Sequence, residues 1–168
     1  MTEITDEKHP DLNERLILYA FNIDEIEELI SRGADINYQD EFGNSPLMMT
    51  NNYNTMKNIL EMGANVDLQD NNGNTALHDS IYLPINIMEL LLESGANIDI
   101  KNKLGETTLN NATYNNQLEY VELIEKYIFQ KKLFLVQKRL ILGKLYMNLL
   151  GSNLVEEGLY EKISYLIV

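Results

Sequence analysis

Gly33-Ala34-Asp35-Ile36-Asn37, Gly63-Ala64-Asn65-Val66-Asp67 and Gly95-Ala96-Asn97-Ile98-Asp99 are three copies of one phrase, 30 and 32 residues apart. Each is followed by an acidic or amide residue, two variable residues and a glycine, namely Asp40 to Gly43, Asp70 to Gly73 and Asn102 to Gly105. After the glycine come Ser45-Pro46-Leu47, Thr75-Ala76-Leu77-His78 and Thr107-Thr108-Leu109. A fixed period of this length is the mark of a repeat array, in which each unit buries its apolar face against its neighbours.

The local chemistry predicts the content of one unit. Ser45 and Thr75 stand where a hydroxyl accepts from unpaired amides at a helix start, and Pro46 suits a first helical turn. A second helix follows, carrying Ile59-Leu60, Leu90-Leu91-Leu92 and Val121 with Ile124. It stops at Gly63 or Gly95, where a left-handed backbone costs glycine little. The Asp-, Asn- and Gly-rich stretch from Asp67 to Asn74 suits a projecting turn. Before the first full unit, Leu12 to Ala20 and Asp24 to Ser31 read as two short amphipathic helices, the second with Ile26, Leu29 and Ile30 on one side.

With its Thr-Ala-Leu-His and related segments in register, the region from Asp11 to Ile128 resembles an ankyrin-repeat stack, whose unit is about 33 residues long. The resemblance implies an all-α solenoid of helix pairs with hairpin-like loops, here a cap-like unit plus three repeats over residues 11–128. A polar leader over 1–10 precedes it and a helical segment over 129–168 follows it. The unit is shortened between Leu47 and Gly63 and between Leu77 and Gly95, so the loops joining paired helices are trimmed. Pro84 falls in one of them, and Ile128 stands where a fourth glycine would be expected, so the array ends there.

The resemblance also implies a protein-binding adaptor that meets its partner through loop tips and the concave row of first helices. By register the contact residues are Tyr38, Glu41, Phe42, Met48, Met49 and Asn52 in the first full repeat. The second supplies Asn71, Asn72, Asp79 and Tyr82, and the third Lys101, Lys103, Leu104, Asn111 and Tyr114. Any of Met48, Met49 or Tyr82 equally suits the space between neighbouring first helices. The family's histidine, here His78, hydrogen-bonds within and between loops.

Charge divides the chain. Residues 1–125 hold 6 basic and 23 acidic side chains, a balance of −17, whereas residues 126–168 hold 7 basic and 3 acidic, a balance of +4. Acidic loops favour a basic protein partner. The net charge of −13 opposes nucleic acid. Lys138, Arg139 and Lys144 interrupt the apolar run from Leu133 to Leu150, so no membrane span is expected. Phe129, Leu133, Val136 and Leu140 on one line, with Leu135, Leu142 and Leu149 on another, predict an amphipathic helix apolar on more than one face, suited to packing on the stack or to self-association.

The stretch Leu154-Val155-Glu156-Glu157-Gly158-Leu159 to Leu166 resembles the opening of an F-box. Ankyrin proteins with such tails are known from poxviruses and intracellular bacteria. The resemblance implies a substrate receptor that engages the Skp adaptor of a cullin ubiquitin ligase through Leu154, Glu156, Leu159, Ile163, Tyr165 and Leu166. The alternative is that these residues pack on the preceding helix. Val155 and Gly158 depart from the pattern.

No catalytic site is expected. The chain has no cysteine, no phosphate-binding glycine loop and no Gly-x-Ser-x-Gly elbow. His9 and His78 lack the spacing of a zinc site, so neither a metal nor a cofactor is expected. The polar acidic start has no apolar signal core, which predicts an intracellular protein in the cytoplasm of its producer or of a host.

Overall fold

A computed structural model describes residues 11–150, and the side chains of 11–144. Among these residues the fold is helical throughout. A first pair, α1 (Leu12–Leu18) and α2 (Ile23–Ser31), is followed by α3 (Pro46–Met49) with α4 (Tyr53–Glu61). The next pair is α5 (Ala76–Asp79), extended by a 3-10 turn over Ser80–Tyr82, with α6 (Ile85–Glu93). Finally come α7 (Thr108–Tyr114) and α8 (Leu118–Leu150). The described residues fall into two compact units that divide after Leu123, inside α8.

In the first unit, α1, α3, α5 and α7 pack in a row, each against the next, while α4 packs on α6. Leu16, Ile26, Leu29, Leu47, Met56, Ile59, Leu77, Ile81, Ile87, Met88 and Leu91 are fully buried between them. The shortened spacing after Leu47 leaves α3 one turn long, and Thr50 turns the chain directly into Asn52, whose side chain caps α4 by accepting from the Thr55 amide at 3.1 Å. Pro84 is the N-cap residue of α6, as its place between helices predicts.

The Gly-Ala of the repeated phrase is a helix-stop device. After α4 the Gly63 amide donates to Leu60 O at 3.0 Å and the Ala64 amide to Ile59 O at 3.2 Å. Gly33-Ala34 and Gly95-Ala96 make the same pair of bonds. This Schellman arrangement needs a left-handed residue, and Gly63 has φ +92°. The rest of the phrase joins repeats. Asn37 Oδ1 accepts from the Asn65 amide at 2.7 Å and Asp67 Oδ1 from the Asn97 amide at 2.8 Å, while Asn13 does the same for Asp35 at 2.7 Å. Asn37 and Asp67 thus hold the phrase of the following repeat.

Two expectations change. Ser45 does not cap α3, because its Oγ is buried without a partner. Thr75 and Thr107 instead share hydrogen bonds with the side chains of His78 and Asn110 three residues on, where the first repeat has Met48, which offers no such group. The second concerns Ile128: α8 runs straight through it to Leu150, with neither Gly nor Pro between Leu118 and Leu142 to stop it. The F-box-like residues Leu154, Glu156, Leu159, Ile163, Tyr165 and Leu166, with the leader 1–10, lie outside the described residues.

Candidate interaction surface

Each projecting loop is a turn closed on one side chain. Asp40 Oδ1 accepts from the amides of Phe42 and Asn44, at 2.9 and 2.7 Å, and Asp70 Oδ1 from those of Asn72 and Asn74, at 2.8 and 2.7 Å. Asn102 Oδ1 holds Leu104 and Glu106, both at 3.0 Å. With its inner amides bonded to this side chain, the loop turns its tip residue into solvent. Phe42 is 62% exposed and Leu104 81%, with Asn72 exposed between them in register.

Neighbouring loops are laced together. The Asn71 amide donates to Phe42 O and the Lys103 amide to Asn72 O, both at 2.8 Å, and Asn71 Nδ2 donates to Glu41 O at 2.8 Å. Gln39 Nε2 bridges to Gln69 O at 2.9 Å, and Gln69 Nε2 to Lys101 O at 3.2 Å. This ladder brings the backbones so close that a Cβ on Gly43 would lie 2.7 Å from the Asn71 nitrogen. The tips therefore form one continuous edge.

A second row runs along the first helices. The residue seven after each N-cap is Leu18, Asn52, Tyr82 and Tyr114 in successive repeats. Leu18 is 63% exposed, Tyr82 67% and Tyr114 83%, and these are large apolar groups that the stack leaves in water. Tyr82 and Tyr114 were legible from the register. Leu18 was not singled out, although counting seven from Asp11 finds it.

The other expected contact residues divide by exposure. Glu41, Asn52, Asn71, Asn72, Lys101 and Lys103 are exposed, whereas Tyr38, Met48, Met49, Asp79 and Asn111 are half-buried. Asn52 and Asn71 are already engaged, one as a helix cap and the other as a link between loops.

His78 is buried and its tautomer follows from its neighbours. Nδ1 accepts from the Thr75 amide at 3.2 Å and lies 2.9 Å from Thr75 Oγ1, so the proton sits on Nε2, 3.2 Å from Glu106 O in the next repeat. Burial lowers the His78 pKa, which keeps the ring neutral. Asp79 has its pKa raised to about 6, first by burial and then by the charge of Asp70. Both nitrogens of His78 are committed to holding backbone, and no group of three or more His, Asp or Glu side chains converges among the described residues.

Residues 16–102 and 49–133 match the family described as Ankyrin repeats (3 copies), together well over half of the 168 residues. The chain belongs to the ankyrin-repeat family. None of the curated proteins compared with it matches. Ankyrin repeats are general protein-interaction modules. Among the described residues, no helix of this ankyrin protein is long and apolar enough to cross a membrane.

Proposed function

We propose that the chain is an adaptor that seats a basic protein along the loop tips and the exposed ends of its first helices. What supports this most is the register of its exposed apolar groups: Phe42 and Leu104 on the tips, with Leu18, Tyr82 and Tyr114 along the helix row. The tyrosines are the usual kind of anchor at protein interfaces once a partner desolvates them, and Phe42, Leu18 and Leu104 add apolar area beside them. The acidic surround, −17 over residues 1–125, selects a cationic partner and speeds its approach.

The test compares quantitative capture by the full chain and by a Tyr82→Ser, Tyr114→Ser, Leu104→Ser variant, both checked for folding by circular dichroism. Proteins bound by the first and lost from the second should be basic and should elute with salt. An unchanged set of captured proteins would reject the surface.

A second reading follows from the order Leu154-Val155-Glu156-Glu157: the tail recruits a Skp adaptor and the repeats select the substrate. Binding of the full chain to a Skp adaptor, abolished by Leu159→Asp with Ile163→Asp, tests it independently of the repeats. The self-associating alternative predicts a dimer in sedimentation velocity.

A further inference from the structure

From Lys126 to Lys144, α8 carries six cations, Lys126, Lys131, Lys132, Lys138, Arg139 and Lys144, and no acidic residue. All six are exposed, and none belongs to an ion pair found among the described residues. Between them lies a stripe in 4-3-4 spacing: Phe129, Leu133, Val136 and Leu140. These are 46–67% exposed. This spacing is the seam along which one helix packs on another. Lys132 and Arg139 flank it on one side, and Gln130, Gln137 and Lys144 on the other.

Charge and the distribution of apolar groups argue against two occupants, a second copy and a flat anionic membrane. In a second copy paired in parallel, Arg139 would face Lys144 of the other helix, and in an antiparallel pair Lys132 and Arg139 would face each other. Like charges at these flanks oppose both arrangements. A flat anionic membrane fits poorly as well. Phe134 with Ile141, and Leu135 with Leu142, make two further exposed apolar lines, which place cations and apolar groups alternately around the whole helix.

We infer that the α8 seam is a docking site for an acidic amphipathic helix of another protein, its apolar line on Phe129, Leu133, Val136 and Leu140 and its Glu or Asp side chains against Lys132, Arg139 and Lys144. The seam uses none of the residues of the loop tips and first-helix ends, so either proposal can fail without the other.

The probe is a synthetic 28-residue helix with Leu along its seam and Glu at the flanking positions, beside a twin with Lys at those positions. Titrated against the full chain, the Glu peptide should bind saturably and weaken with salt, and the Lys peptide should not bind. The Lys132→Glu, Arg139→Glu variant, at exposed positions that the fold does not need, should lose about tenfold in affinity for the Glu peptide and gain the Lys peptide. Leu133→Gln with Leu140→Gln should bind neither. Four results would overturn the inference: no binding of the Glu peptide, equal binding of both peptides, a concentration-dependent dimer lost in Leu133→Gln, Leu140→Gln, or binding of anionic vesicles in place of the peptide.

Discussion

The loop ladder makes a pair of glycine substitutions diagnostic. Gly43 and Gly105 hold the same place in the first and third loops with nearly the same backbone, φ +82° and +79°. Alanine pays a left-handed penalty of about 1–2 kcal/mol at either one. They differ in what a Cβ would meet. At Gly105 nothing lies within 4 Å, whereas at Gly43 the Asn71 nitrogen is at 2.7 Å and Asp70 backbone carbon at 2.9 Å. Because these atoms are backbone, relief requires the second loop to move and the Asn71 to Phe42 bond of 2.8 Å to open. Overpacking of about 1–3 kcal/mol and the net loss of one hydrogen bond, about 1 kcal/mol, add to the common term. Gly43→Ala should therefore cost about 3–6 kcal/mol and Gly105→Ala about 1–2 kcal/mol. Urea unfolding followed at 222 nm measures both. Hydrogen exchange at the Asn71 amide localises the effect, with protection falling in Gly43→Ala alone. Equal losses in the two variants would refute the close approach of the loops. Gly73→Ala, whose Cβ would meet the Lys103 nitrogen at 2.8 Å, should behave like Gly43→Ala.

Three further outcomes follow from individual groups. Asp79 binds its proton more tightly folded than unfolded, about 6 against 3.8, so its contribution is fully present below pH 3.8 and is lost as pH rises through 6. Asp79→Asn should then gain about 1–2 kcal/mol at pH 7, discounted for partial exposure, with the gain vanishing near pH 4 in urea titrations at several pH values. Thr108 stands at the first helical position of α7 with a buried, unpartnered hydroxyl, where the first repeat has Pro46, and Thr107 already has extended angles of −85° and 167°. Thr108→Pro should raise stability by about 0.5–1 kcal/mol, read as a higher urea midpoint. Tyr120 donates its hydroxyl proton to Leu83 O, tying α8 to the loop of the preceding repeat. Tyr120→Phe should lose about 0.5–1.5 kcal/mol in the same assay.

The sequence by itself determined the period, the helix pairs and the helix stops, because these depend on contacts within a few residues. Gly63 and Gly95 announce left-handed stops wherever they occur in such a pattern, and Asp40 or Asp70 closes a loop on amides two and four residues away. Register then named Phe42, Leu104, Tyr82 and Tyr114 as surface groups. What only tertiary structure decided were the uses of side chains that reach 28–32 residues along the chain: Asn37 and Asp67 holding the next phrase, and Gln39 and Gln69 bridging loops, whereas the bridging role of His78 was already implied by the family resemblance. The buried, unpaired Ser45 hydroxyl also escaped the sequence, since whether a capping group bonds depends on the Met48 or His78 placed opposite it. A periodic sequence carries local geometry in every copy. Which polar side chain joins one copy to the next depends on how close the stacked backbones come, and that distance is set by packing.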